Sequence, residues 1–167
     1  MSARTQFLQR KIFAWKDLSL LVEKLRTENR IVITSNGCFD ILHWGHLRYL
    51  NEAKGFGDTL VVGINSDASV KRLKGDGRPI FDQNVRALQL ACLSAVDFVV
   101  VFDQDTPNEL LKTLRPRIHV KGADYANKPL PERALVESWG GRIELLPMEE
   151  GFSTTSVIAK LKSLPNE

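Results

Sequence analysis

Cysteine is almost missing from this chain, with Cys38 and Cys92 the only two in 167 residues. Two thiols cannot build a disulfide framework or, unaided, a zinc site; they suit free thiols in a reducing compartment. Long apolar runs are missing as well. Nothing approaches the roughly 18 apolar residues of a membrane span, and the opening MSARTQFLQRKIFAW holds no uninterrupted apolar segment of signal-peptide length. The expectation is a cytoplasmic protein with neither span nor export signal. The standard phosphate and nucleophile motifs are absent too: there is no G-x-x-x-x-G-K-[ST], no G-x-G-x-x-G and no G-x-S-x-G. A P-loop kinase, a dinucleotide oxidoreductase and an α/β-hydrolase are therefore unsupported. A strong charge bias is lacking: the net charge of +3 suits an enzyme of anionic metabolites but is no basic stripe for nucleic acid.

What is present is an alternation. Hydrophobic residues make up 43% and charged residues 26%, the balance of one globular domain. Asp17 stands where it would cap a first helix carrying Leu18, Leu21, Val22 and Leu25. Five apolar or β-branched runs follow, at 31–35, 59–64, 97–102, 117–121 and 142–147, separated by helical patterns at 46–54, 85–95, 107–114 and 131–139, with a last helix from Thr154. Three of the runs are unbroken rather than alternating, as in a parallel sheet covered on both faces. The pattern predicts a single α/β domain over 17–167, doubly wound around about five parallel strands, behind an N-terminal arm of residues 1–16. Thr106-Pro107-Asn108-Glu109 reads as a capping box. In such a sheet the ligand lies beyond the strand carboxyl ends, here 36–46, 65–78, 103–106, 121–125 and 148–155.

The first of those loops is the most informative. His43 and His46 stand three apart where a helix begins, after NGCFD. The pair raises a metal reading, but the one other histidine, His119, lies inside a strand with no acidic or thiol partner in sequence. A helix N-terminus with unpaired N–H groups favours an anion instead, and Gly37 and Gly45 leave room for backbone to approach one closely. Ser153, Thr154 and Thr155 would present hydroxyls and N–H groups at the last helix, or serve as its ordinary cap. VKRLKGDGRP (70–79) reads as a basic loop, mobile at Gly75 and Gly77 and placed as a lid, though part of its charge is a solvated face. Asp124 is either a ligand contact or a turn residue; Lys121 is either a ligand contact or a solvated strand-end lysine.

The stretch GCFDILHWGH resembles the G-x-F-D-x-x-H-x-G-H signature of a nucleotidyltransferase superfamily that includes glycerol-phosphate cytidylyltransferases and pantetheine-phosphate adenylyltransferase. GFSTTSVI is similar to its second motif, and the resemblance covers roughly residues 30 to 160. It implies a Rossmann-like fold in which His43 and His46 meet the nucleotide phosphates, with Lys74 as a clamp. Gly37, Cys38, Phe39, Asp40, Gly45, Gly122, Asp124, Ser153, Thr154 and Thr155 would line the nucleotide. Asn65, Lys71, Arg78, Arg86 and Lys121 would serve the sugar phosphate. Within the superfamily, VGINSDASVKRLKGDGRP, AVDFVVVFDQDTP and LRPRIHVKGADY resemble the adenylyltransferases that form ADP-heptose from D-glycero-β-D-manno-heptose 1-phosphate for lipopolysaccharide core synthesis. In many bacteria that activity is fused behind a sugar kinase; the expectation here is a chain that stands alone, with a separate heptose kinase. Met148 stands where the cytidylyltransferases carry an arginine. The resemblance implies ATP and a sugar 1-phosphate as partners, Mg²⁺ held mainly by the ATP phosphates with no protein metal site, no nucleic acid or membrane, and a homo-oligomer, dimer or larger.

Overall fold

The computed structural model describes residues 3–164 apart from 126–128, 148 and 150, with the backbone alone for Arg4 and Asp124. Its centre is β3 (Thr59–Asn65), buried at all seven residues. That is why the run TLVVGIN has no polar residue between Thr59 and Asn65: neither face meets water. Beside it lie β2 (Val32–Gly37) and β4 (Phe98–Phe102); beyond β2 come β5 (Ile118–Gly122) and β6 (Arg142–Leu146). All pairings are parallel. The five expected strands are all present, shifted by one or two residues.

A sixth strand was not legible. β1 (Ile12–Phe13) follows helix α1 (Ala3–Gln9) and pairs with Val99 and Val100 of β4, so the sheet order is β1-β4-β3-β2-β5-β6. Two residues are too few to show a period, so the count of five becomes six.

Helices cover both faces. α3 (Trp44–Lys54) and α5 (Gln83–Ala91) bury Leu50, Ala53, Ala87 and Leu90 against Ile33, Leu60, Val62, Ile64 and Val120. On the other face α2 (Leu18–Thr27) and α6 (Asn108–Leu114) pack Leu21, Leu25, Leu110 and Leu114 against Val32, Val61, Val100 and Phe102. Fully burying one such side chain contributes about 1.5–3 kcal/mol.

Three local expectations are corrected. Residues 70–74 of the supposed basic loop (70–79) belong to a helix, α4 (Asp67–Lys74), because the Ser66 hydroxyl accepts from the Ser69 N–H and Val70 is buried. The Thr106–Glu109 box does not form: Pro107 holds the cap position without a side-chain bond, and Lys112 binds the Glu109 carboxylate at 2.7 Å. Asp17 precedes α2 but makes no side-chain cap bond. The last two helices are α7 (Glu132–Glu137) and α8 (Thr154–Lys162). No described helix is long and apolar enough to cross a membrane.

Candidate active site

The strand order reverses direction between β2 and β5, and a crevice opens there at the carboxyl edge of the sheet. It holds a cavity of about 520 Å³ whose lining comes from the ends of β2, β3 and β5 and the starts of α3, α7 and α8, together with α4 and the segments after it and after β4.

His43 is the N-cap residue of α3 in extended conformation, and its carbonyl accepts from the N–H of His46 and Leu47. This brings the two imidazoles into a stack, with centroids 3.8 Å apart and planes 23° apart. His46 lines the cavity and lies against Phe39 at 5.1 Å. A Cβ at Gly45 would come within 3.1 Å of His43 Nδ1 and 3.4 Å of the Phe152 Cβ. The glycine between the histidines thus admits both the stacked ring and the approach to α8. The described residues offer no hydrogen-bond partner to either Nδ1, although both atoms are buried. Burial, and then the neighbouring His43, hold the His46 pKa down at about 4 despite a bond with the Ile41 backbone; burial also lowers His43. Both rings are therefore neutral at pH 7, and neither has a third ligand to make a metal site among the described residues.

α8 begins opposite. Thr154 and Thr155 line the cavity, and Thr154 Oγ1 reaches the Ile41 carbonyl at 3.5 Å. Ser153 does not line it: its hydroxyl accepts from the Ser156 N–H, and the Ser156 hydroxyl reciprocates, so this serine is the ordinary cap. Two helix N-termini, α3 and α8, converge on one side of the cavity, a favourable place for an anion.

The rest of the motif loop has a structural role as well. Asp40 is buried and takes the Arg78 guanidinium, the Ile80 N–H at 2.6 Å and the Phe81 N–H at 3.2 Å. Arg86 is fully buried and does not line the cavity. It donates to the carbonyls of Phe81 (3.0 Å) and Cys38 (2.6 Å) and to Asp67 (2.7 Å), so its expected place against a ligand is corrected to a brace. Asp40 and Arg86 together fasten residues 78–81 to the motif loop. Cys38 lines the cavity with its thiol pKa raised by burial, an effect that Lys74 and Arg86 partly offset.

Among the basic residues, Lys74 and Arg78 line the cavity, and no ion pair engages Lys74 among the described residues. Lys71 faces water and pairs with Asp76 at 3.1 Å, outside the lining. Asn65 lines it from the end of β3, its amide bonded to the Ser69 hydroxyl and the Gln104 carbonyl. Gly37, Phe39, Gly122 and Lys121 also line it, and Lys121 is buried rather than solvated. Gly45 lies just behind, under His43. The Asp124 side chain and Met148 lie outside the described residues.

Residues 35–160 match the profile of the cytidylyltransferase-like family. The chain belongs to that family. Among curated relatives, the bifunctional protein HldE of Syntrophotalea carbinolica is 50% identical over 151 residues, 90% of this chain and 31% of its own length. HldE of Campylobacter jejuni is 49% identical over 92% of this chain and 32% of its own. The chain thus spans about a third of these relatives. A crystal structure of a lipopolysaccharide core biosynthesis protein from Thermoplasma volcanium aligns with TM-score 0.59 and 28% identity, over 72% of this chain and 97% of that one. Pantoate–β-alanine ligase from Francisella tularensis shares the fold alone, at TM-score 0.62 and 15% identity over 90% of this chain and 76% of that one.

Within this cytidylyltransferase-like frame, sequence reasoning passed over Asn36, Tyr49, Leu73, Asp105, Thr106, Pro107, Tyr125, Pro131 and Glu132, all in the lining. Position after β4 or β5 flags Asp105, Thr106 and Tyr125. Nothing in the sequence flags Glu132, which reaches the cavity only because the fold sets the start of α7 beside Lys121 of β5.

Proposed function

We propose that the chain is an adenylyltransferase that moves AMP from ATP to D-glycero-β-D-manno-heptose 1-phosphate, giving ADP-heptose and pyrophosphate. The observation that carries this reading is what the cavity gathers: His46 stacked on His43 with both rings neutral, two helix N-termini, and the basic residues Lys74, Arg78 and Lys121. The choice of ATP and heptose rests on the resemblance of the motifs and on the identity to HldE chains, whose bifunctional name suits an adenylyltransferase fused to a second activity.

The chemistry follows from the charges. An oxygen of the sugar phosphate attacks the α-phosphorus of ATP, a new P–O bond forms, and the bond to the β-phosphate oxygen breaks in line. The attacking oxygen is already ionised at neutral pH, so no general base is needed. Two phosphorylated substrates bring about six negative charges together, and the protein's task is positioning and charge compensation. His46 would donate an N–H toward the transferring phosphoryl group with His43 stacked behind it. Thr154, Thr155 and the α8 N-terminus would face the β- and γ-phosphates. Lys74, Arg78 and Lys121 would meet the acceptor phosphate, and Gly122 and Asp124 the ribose. An anion beside a neutral histidine favours its protonation, so the pair would gain positive character as the triphosphate enters. Mg²⁺ would come with ATP, whose phosphate oxygens suit it, and would neutralise charge on the leaving pyrophosphate.

Pyrophosphate release with ATP and a panel of sugar 1-phosphates tests the reading. The heptose 1-phosphate is expected to give the highest kcat/KM. CTP outperforming ATP, or tight ATP binding with no pyrophosphate formed on any acceptor, would overturn it.

A further inference from the structure

Under the cavity runs a buried polar row that the chemistry above leaves mostly unused. His119 and Lys121 alternate along β5, facing Thr34 and Asn36 of β2. Lys121 is 7% exposed and Glu132, at the start of α7, is 3% exposed. The Lys121 ammonium stands 3.1 Å from Glu132 Oε1, 3.2 Å from Asn36 Oδ1 and 4.5 Å from the Tyr125 ring centroid. Behind them the Thr34 hydroxyl meets His119 Nδ1 at 2.8 Å, and His119 Nε2, buried without a hydrogen-bond partner among the described residues, points at Glu132 Oε1 from 4.0 Å. The polar neighbour of Nε2 is a carboxylate, so the ring proton belongs there and the Thr34 hydroxyl donates to Nδ1. Burial keeps this imidazole neutral, leaving Lys121 as the cation that balances Glu132.

A buried ion pair adds little stability over apolar residues of the same volume, and this one lines a ligand cavity. Glu132 Oε1 is taken by Lys121; among the described residues no donor engages Oε2. A carboxylate can only accept. It repels a phosphate but suits a hydroxyl. We propose that Glu132 is a recognition residue for the acceptor: Oε2 takes a hydrogen bond from a sugar hydroxyl while Oε1 holds the Lys121 ammonium toward the acceptor phosphate. This rests on the nucleotidyl-transfer reading above. It orients the acceptor, with the phosphate at Lys121 and the hydroxylated carbons toward α7.

The test is calorimetric binding, in the presence of a non-hydrolysable ATP analogue, of heptose 1-phosphate and its monodeoxy analogues. The intact protein is expected to bind at least one monodeoxy analogue about tenfold or more weakly than the parent, because the analogue covers the carboxylate oxygen without giving it a donor. Glu132→Ala should bring that ratio to within about twofold while affinity for the ATP analogue stays unchanged. Should Glu132→Ala fold poorly, Glu132→Met keeps the side-chain volume and leaves Lys121 with Asn36 and the Tyr125 ring, and the same ratio is measured. Retention of every discrimination by either variant, or none in the intact protein, overturns the proposal. Because binding is read without turnover, loss of this inference is separate from failure to release pyrophosphate, which would overturn the activity itself.

Discussion

Two sets of groups at the cavity would meet the phosphate charge of the proposed reaction by opposite means. The α3–α8 groups carry no formal charge at pH 7: two stacked imidazoles with depressed pKa values, two threonines and the ends of two helices. The basic residues are charged, but most of those charges are already paired, Arg78 with Asp40 and Lys121 with Glu132, and Lys74 alone lacks a described partner. Helix dipoles and neutral N–H donors involve no buried counter-ion, so they can lie close together. Ammonium and guanidinium groups at a half-buried site need partners to remain there. The lesson is that a basic residue near a ligand is not automatically free for it.

The largest effect is expected from breaking that pairing at Asp40. Asp40→Ala strands the Arg78 charge and two backbone N–H groups and should cost about 3–5 kcal/mol of stability in urea unfolding. A loss below about 1 kcal/mol would mean that residues 78–81 are held by other contacts. Among the neutral groups, His46→Ala should leave a folded protein with kcat lowered about 10²–10³-fold, the cost of one donor aimed at developing charge. A near-normal rate would remove His46 from the mechanism.

Acid sharpens the contrast further. The His46 pKa is held at about 4 and that of His119 at about 3, both below the unfolded value. Depressed pKa values mean that the unfolded chain binds more protons between those values and about 6.5. The stability of this neutral arrangement is therefore complete above pH 7 and is lost progressively from about pH 6.5 down, until the folded pKa of about 4 for His46 and about 3 for His119 is passed. Melting temperatures that stay level from pH 7 down to 4 would contradict it. The smallest effect separates two lysines three residues apart. Lys74→Ala should raise the acceptor or ATP KM about tenfold, whereas Lys71→Ala, which breaks only an exposed pair, should shift it by less than about twofold.

The loops that carry the cavity were readable from the order of strands and helices. Asn36, Asp40, Asn65, Lys74, Thr106, Lys121 and Thr154 all fall in segments expected beyond strand ends. The roles within those loops were less readable. Arg86, Lys71 and Arg78 look alike in sequence, yet one is a buried brace, one a surface charge and one half of a buried pair. Ser153 looks like its neighbours Thr154 and Thr155, but its extended backbone makes it the cap.

By itself the sequence determined the parallel sheet, the two-faced core and the paired histidines at the start of α3, because these depend on periodicity, unbroken apolar runs and residue types at a helix end. Tertiary structure alone decided which charges are available. That outcome depends on distances between residues separated in the chain: Asp40 to Arg78, Cys38 to Arg86, and Lys121 at the end of β5 to Glu132 at the start of α7. An ion pair in a buried place is set by the whole packing around it, and sequence spacing holds no record of that.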